Sequence, residues 1–257
     1  MSSEPAAAPL ELARARELVR GRSRSHAWRD DWFFFCAAWV IAAVIAYGFA
    51  QTLSNSLLHS TIPKPRILWL HAAVFFGWIC LFITQTTLVR LRRVRWHRTL
   101  GVAGLLLGAM MPPIGIATSL IMGQFNVAHA LRDPDFAHAF LAIPFNDMLC
   151  FASTLVAAAW WRKRPDAHRR LLFIATCVLT AAAFARFPFI TIRALRWYAG
   201  VDLLLLLGVV YDFARHSRVH VAYALALPPI LCAQVAAMWL FLTRPHWWLE
   251  FARHLMG

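Results

Sequence analysis

Acidic residues and lysine are both scarce in this sequence. Only 12 of the 257 residues are Asp or Glu, against 26 Lys and Arg, and just two of those 26 are lysines, Lys64 and Lys163. Charged residues make up 15% of the chain, whereas 60% is hydrophobic and the mean hydropathy is +0.57. So few charges leave too much apolar surface for a soluble core, which excludes an ordinary soluble domain and indicates a protein embedded in a bilayer.

The sequence also lacks the short motifs of common catalytic sites. Its five cysteines form no CxxC pair and all lie inside apolar stretches, which argues against disulfides and against a zinc–thiolate site. A phosphate-binding P-loop, a nucleophile elbow and an HExxH motif are missing as well. We therefore expect no bound metal ion.

Long apolar stretches are what the sequence has instead. A spanning helix needs roughly 20 residues, and seven stretches reach or approach that length. They lie at 32–52, 66–89, 100–122, 139–161, 170–191, 198–213 and 220–242. The sequence thus predicts an all-α bundle of seven transmembrane helices, residues 32–242. A basic segment, 1–31, precedes the bundle and a short tail, 243–257, follows it.

Positive charges alternate between the two ends of these stretches. Eighteen Lys and Arg residues fall in the N-terminal segment and in alternate loops, and seven fall on the opposite side. Because cytoplasmic loops collect positive charge, we expect the N-terminus inside and the C-terminus outside. The preference for Arg over Lys, together with abundant Ala, is typical of a GC-rich bacterial genome and favours the bacterial inner membrane. Confinement of the cations to short loops argues against nucleic acid as a partner and favours the lipid bilayer.

A few ionisable side chains fall inside the predicted helices, near their outer ends. The candidate polar site consists of His71, Asp147, Arg186 and Asp202, with Asn146 beside Asp147. An ionisable residue inside a membrane helix is costly and therefore marks a candidate functional site. A proline lies within three residues of both Asp147 and Arg186, and helix breaks accompany many membrane binding sites. We expect one outward-open cluster in which Arg186 pairs with Asp147 or Asp202; the alternative is that such pairs only fasten helices together.

Two further features are interpreted as structural. Asp212, at the inner end of the sixth predicted helix, is expected to lie at the membrane interface. Gly104 and Gly108 form a GxxxG pattern in the third helix, which permits close helix packing within the bundle.

Histidines raise the question of a haem. Ligation of haem b by two imidazoles needs inward-facing histidines on neighbouring helices. His97 and His168 could supply such a pair at the cytoplasmic side, and His71 could pair with His138 or His59 at the outer side. Only His71 lies well within a predicted span.

The segment RVRWHRTLG, residues 93–101, resembles the HRxxG turn of several bacterial multi-pass membrane families. Some of these families are uncharacterised and some are similar to b-type cytochromes. The preceding helix, LHAAVFFGWICLFITQTTLV at 70–89, extends the resemblance to an uncharacterised family, over about helices 2 to 5. The resemblance implies His71 and His97 as cofactor positions, with haem b or a quinone as the cofactor class. The chain departs from the haem-binding pattern in lacking a partner histidine in each facing helix.

Three functions are therefore compatible with the sequence. The first is electron transfer associated with haem or quinone. The second is small-molecule or proton-coupled transport through the outward-facing His/Asp/Arg site. The third is an accessory or assembly subunit that binds other membrane proteins.

Overall fold

A computed structural model of the protein describes residues 32–52, 62–189 and 197–257. All regular secondary structure within these ranges is helical. The basic segment 1–31 and His59 lie outside them. The helices are α1 Trp32–Thr52, α2 Ile67–Arg90, α3 Val94–Ala128, α4 Pro134–Phe140, α5 Ala142–Trp160, α6 Pro165–Val178, α7 Ala181–Phe184, α8 Ala199–His216, α9 Val221–Thr243 and α10 His246–Met256.

Six helical stretches of the described chain are long and apolar enough to cross a membrane. They are α1, α2, α3, α4 with α5, α6 with α7, and α9. This composition indicates a multi-pass membrane protein, as predicted. The predicted sixth span corresponds to α8, which has 18 residues and carries three charged side chains, Asp202, Asp212 and Arg215.

Helices α5 and α6 form the centre of the bundle. In the most apolar part of each stretch, 61% of the α4–α5 residues and 72% of the α6–α7 residues are buried, compared with 22–28% in the other four stretches. Helix α5 packs against α3, α6 and α9, and α6 packs against α8 and α9. Large side chains on the peripheral helices, such as Phe76 and Val235, are exposed, as expected of surfaces that face lipid.

Glycine allows three helices to approach one another closely. A Cβ atom on Gly104 would lie 2.8 Å from Leu81 in α2, and one on Gly108 would lie 2.6 Å from Leu155 in α5. The predicted role of this GxxxG pattern in packing inside the bundle is confirmed. The closest approach to a neighbouring backbone is elsewhere: a Cβ on Gly48 of α1 would lie 2.5 Å from the carbonyl oxygen of Ala183 in α7.

Prolines determine where two helices end. Pro144 has no N–H to bond the carbonyl of Phe140, and α4 ends at Phe140. Pro188 likewise has no N–H to bond the carbonyl of Phe184, and α7 ends at Phe184. The end of the bundle where α1 ends and α2 begins is called the Thr52 end. The opposite end is called the Arg90 end.

Several predicted boundaries are wrong. The fifth span was predicted at 170–191, but the helix begins at Pro165, is interrupted between α6 and α7, and ends at Phe184, so that Arg186 lies beyond it. The third span was predicted at 100–122, but α3 covers 35 residues. The fourth begins with α4 rather than at residue 139. Hydropathy marks only the apolar part of a helix, and a helix can continue past it through charged residues.

The C-terminal segment, predicted as a short tail, contains the amphipathic helix α10. Its buried face carries Trp248, Ala252 and Met256, one turn apart, and packs against α3 and α4. The side-chain amide of Gln124 in α3 donates a hydrogen bond to the Met256 carbonyl. Helices α4 and α10 together cover part of the Thr52 end.

Candidate functional site

The central helix α5 carries a buried carboxyl group in its second turn. Asp147 and its neighbour Asn146 are each 8% exposed. The Tyr198 hydroxyl donates to Asp147 Oδ1 at 3.1 Å, and Asn146 Nδ2 donates to the Tyr198 oxygen at 2.9 Å. Asn146 Nδ2 also lies 3.5 Å from Asp147 Oδ1. The three side chains form a small hydrogen-bonded triangle between α5 and the start of α8.

Tyr198 is the member of this triangle that the sequence analysis missed. It immediately precedes α8, and burial followed by the nearby Asp147 carboxylate raises the pKa of its phenol. It therefore keeps its proton and serves as a donor. Tyrosine is uncharged at neutral pH, so it was not counted among the charged residues of the predicted spans. The only feature of the sequence that points to Tyr198 is its position four residues before Asp202, in the segment YAGVD.

The predicted ion pair between Arg186 and Asp147 is wrong, as is the alternative pair with Asp202. All three residues are described, and no salt bridge joins Arg186 to either carboxylate. Asp147 takes its hydrogen bonds from uncharged donors. The reason is position: Arg186 follows the end of α7, on the side of the bundle where α1 packs.

Arg186 lies against the last turn of α1. Its Nε donates to Thr52 Oγ1 at 3.2 Å, and Nη1 donates to the carbonyl of Ala182. The guanidinium carbon lies 4.3 Å from the centre of the Phe49 ring, a cation–π contact.

His71, in the second turn of α2, lies within electrostatic range of Arg186. Its ring stacks on Phe75 with 4.0 Å between centroids, and its buried Nδ1 has no hydrogen-bond partner within the described part of the chain. Asp202, in the first turn of α8, lies beside the amide of Gln234 in α9. The single cluster predicted from the sequence is thus three groups at the Thr52 end: Asp147 with Asn146 and Tyr198, Arg186 with His71, and Asp202 with Gln234.

A buried ion pair lies at the Arg90 end instead, between Arg170 and Asp212. Arg170 Nε donates to Asp212 Oδ2 at 2.8 Å, and Nη2 donates to Oδ1. The Arg170 side chain is 3% exposed and that of Asp212 is 1% exposed. Asp212 also accepts from the His220 amide at 3.1 Å, so α6, α8 and the start of α9 meet at one carboxylate. The pairing with Arg170 allows the Asp212 carboxylate to be buried within the protein, and its position at the level of the membrane interface stays a prediction.

His97 and His168 lie close enough to interact electrostatically, near the Arg90 end. His168 Nδ1 is hydrogen-bonded to the Ala158 carbonyl at 2.8 Å, which leaves Nε2 available as a ligand atom. His97 Nδ1 is buried and has no partner among the described residues. Each imidazole therefore has one ring nitrogen without a hydrogen-bond partner among the described residues.

The proposed outer histidine pair receives no comparable support. His138 is buried in α4 near Arg253, Asp133 and Asp135, and His59 lies outside the described residues. In the described ranges, no three His, Cys, Asp or Glu side chains converge in a way that could hold a metal ion.

Comparison of the chain with protein-family models, with curated proteins and with solved structures gives no match.

Proposed function

We propose that the chain is a proton-coupled small-molecule carrier in which Asp147 binds and releases the coupling proton. We place it in the bacterial inner membrane with seven spans, α8 being one of the seven, the N-terminus inside and the Thr52 end outside. Helix α8 is about 27 Å long at 1.5 Å per residue, close to the roughly 30 Å hydrocarbon core. The alternation of basic residues supports this orientation.

The observation that carries the proposal is a carboxyl group without a cation in the central helix. Asp147 has hydrogen-bond donors from Tyr198 and Asn146 but no ion pair among the described residues. The same molecule pairs Asp212 with Arg170 at the opposite end. Asp212 and Arg170 have the geometry expected of residues that only fasten helices, as in an accessory subunit, and Asp147 does not.

The surroundings of Asp147 suit both protonation states. Apolar burial without a cation favours the uncharged carboxylic acid. When the proton leaves, the Tyr198 hydroxyl and the Asn146 amide can donate hydrogen bonds to the carboxylate. A group that is tolerated in both forms can exchange a proton during a transport cycle. Asp202, one helical turn after Tyr198, provides a second carboxyl at the same end.

Transport by purified protein in liposomes tests the role of Asp147. An inward-directed proton gradient should accumulate a solute from a mixture of small metabolites, with the liposome contents identified by mass spectrometry. Asp147→Asn keeps the size and hydrogen-bonding capacity but cannot exchange a proton, so accumulation should stop while passive exchange of the solute continues. Glu250→Gln, at an exposed carboxylate of α10, is the matched control and should behave as wild type. Unchanged accumulation in Asp147→Asn would refute the proposal.

Electron transfer is the second candidate, and the arrangement of His97 and His168 is the observation that favours it. Under this alternative, the two imidazoles would hold haem b and the group would supply one-electron chemistry. Purified protein should then show a dithionite-reduced minus oxidised difference spectrum, and His97→Ala or His168→Ala should remove it. His254→Ala, at an exposed position of α10, should leave the difference spectrum intact. A colourless, folded preparation would eliminate the haem alternative.

Reporter fusions test the topology. Fusions after residues near 95, 165 and 217 should report the cytoplasm, and fusions near 60, 130, 195 and at the C-terminus should report the outside. A cytoplasmic C-terminus would mean that α8 does not span the membrane.

A further inference from the structure

Arg186 is a cation without a carboxylate partner among the described residues. No ion pair joins it to any described Asp or Glu side chain. Two further segments are close in sequence to Arg186 and Thr52: 53–61 follows Thr52, and 190–196 begins four residues after Arg186. Neither segment contains Asp or Glu.

An unpaired guanidinium at the end of a membrane bundle is costly, and it cannot lower the cost by losing its proton. Two of its nitrogens are used, by Thr52 Oγ1 and by the Ala182 carbonyl. Its third nitrogen, Nη2, makes no hydrogen bond within the described residues. His71, which lies within electrostatic range, has an unpartnered buried Nδ1 that a neutral imidazole can use as a donor. Two donors, one in α2 and one just after the end of α7, are therefore unused in the same region.

We propose that Arg186, His71 and Thr52 form a binding site for a monocarboxylate with an apolar tail. This names the substrate class of the proposed carrier. Its connection with transport rests on that proposed function, whereas the binding itself can be measured separately. The guanidinium donates charge-assisted hydrogen bonds to the carboxylate, and His71 adds a neutral one.

The charge of the site argues for a single negative charge on the ligand. One guanidinium neutralises one carboxylate, whereas a phosphate dianion or a dicarboxylate would leave an uncompensated charge next to apolar helices. Aromatic rings border two of the three members of the site: Phe49 contacts Arg186, and Phe75 stacks on His71. An apolar tail fits against these rings better than a second polar group does.

Benzoate is the probe, and benzamide is its neutral counterpart of nearly the same shape. Both are titrated by isothermal calorimetry into the full-length protein in nanodiscs of phosphatidylcholine, and inorganic phosphate is titrated in parallel. We expect saturable binding of benzoate, with benzamide and phosphate at least about tenfold weaker. Arg186→Gln should weaken benzoate binding roughly 10- to 100-fold, the range of a lost charge-assisted hydrogen bond.

Arg244→Gln is the matched control. Arg244 follows α9 at the same end of the bundle and also lies near an aromatic ring, 6.0 Å from the centre of Phe136. The Arg244→Gln variant should bind benzoate as the wild-type protein does. Should Arg186→Gln fail to fold, Thr52→Val and His71→Gln test the same site, each with an expected loss of a few-fold to tenfold.

The alternative source of an oxyanion is a lipid headgroup. Nanodiscs that contain phosphatidylglycerol distinguish the two, because a bound lipid would compete with benzoate. Benzoate binding that phosphatidylglycerol leaves unchanged supports the proposal. Absence of benzoate binding in phosphatidylcholine nanodiscs, equal binding of benzoate and benzamide, or loss of benzoate binding when phosphatidylglycerol is present overturns it. Benzoate binding that survives in Asp147→Asn supports the site even if proton coupling is absent, so the two proposals fail separately.

Discussion

Replacing Arg170 by leucine should destabilise the protein more than replacing a charged residue that is exposed on its surface. The Asp212 carboxylate would lose the hydrogen bonds from Nε and Nη2 and keep the hydrogen bond from the His220 amide, with His216 Nδ1 3.7 Å from Oδ1. It is 1% exposed, so water cannot replace them. Removing one member of a comparable buried pair costs about 3–5 kcal/mol, and we expect Arg170→Leu and Asp212→Leu each to fall in that range.

The double variant should be far less affected. With both charges gone, the remaining losses include the acceptor of the His220 amide, the contact with His216 and the donor to the Asp166 carbonyl. Each neutral hydrogen bond is worth about 1 kcal/mol, and leucine burial offsets part of it. We therefore expect Arg170→Leu with Asp212→Leu to lie within about 2 kcal/mol of wild type, a coupling of several kcal/mol between the sites.

Unfolding of the detergent-solubilised protein, followed by circular dichroism in a denaturant titration, measures these differences. The matched control is the exposed pair of His246 and Glu250 in α10, whose side chains are 82% and 52% exposed. Glu250→Leu should change the free energy of unfolding little. If the effects of Arg170→Leu and Asp212→Leu add in the double variant, the two residues do not stabilise each other and the reasoning is refuted.

Three other predictions follow from close packing and from titration. Gly48→Ala should destabilise by about 1–3 kcal/mol because its Cβ would meet the α7 backbone, whereas Gly77→Ala, with 3.8 Å to its nearest neighbour, should be neutral or stabilising in thermal melts. Burial and then Arg170 lower the pKa of His220, which caps α9 by accepting from a backbone amide. The folded state therefore binds fewer protons than the unfolded state, and stability should fall as the pH drops below about 6.5; His220→Asn, a cap that does not titrate, should reduce that dependence. Ala252→Glu should release α10 from α3 and α4, seen as faster proteolysis after α9, because Ala252 is fully buried.

Much of the helix pattern could be predicted because hydropathy is a local property. Helix α1 was predicted at 32–52 and occupies those residues, and α2 and α9 begin and end within one residue of the predictions. The prediction failed for the fifth span, where Pro165 and Asp166 open a helix that then continues through Arg170. A charge that a distant carboxylate neutralises can be buried, and a local hydropathy sum cannot account for this.

In the candidate site too, the sequence predicted local features but not contacts between distant residues. The sequence identified Asp147, Arg186, His71 and Asp202 as unusual because ionisable groups in apolar stretches are rare. Their grouping was wrong, because it depends on which helices are neighbours and which way each helix is rotated. Tyr198 is 51 residues from Asp147, and no sequence spacing predicts that contact.

The sequence by itself determined that the chain is helical and membrane-embedded, since its apolar stretches have the length of spanning helices and leave few other ways to satisfy the backbone. It also determined the alternation of positive charge from which the orientation is inferred. Only the tertiary structure decided that Arg170, rather than Arg186, has a carboxylate partner. Pairing requires two side chains to meet within about 4 Å, and the packing of α6 against α8 brings Arg170 and Asp212 together from 42 residues apart.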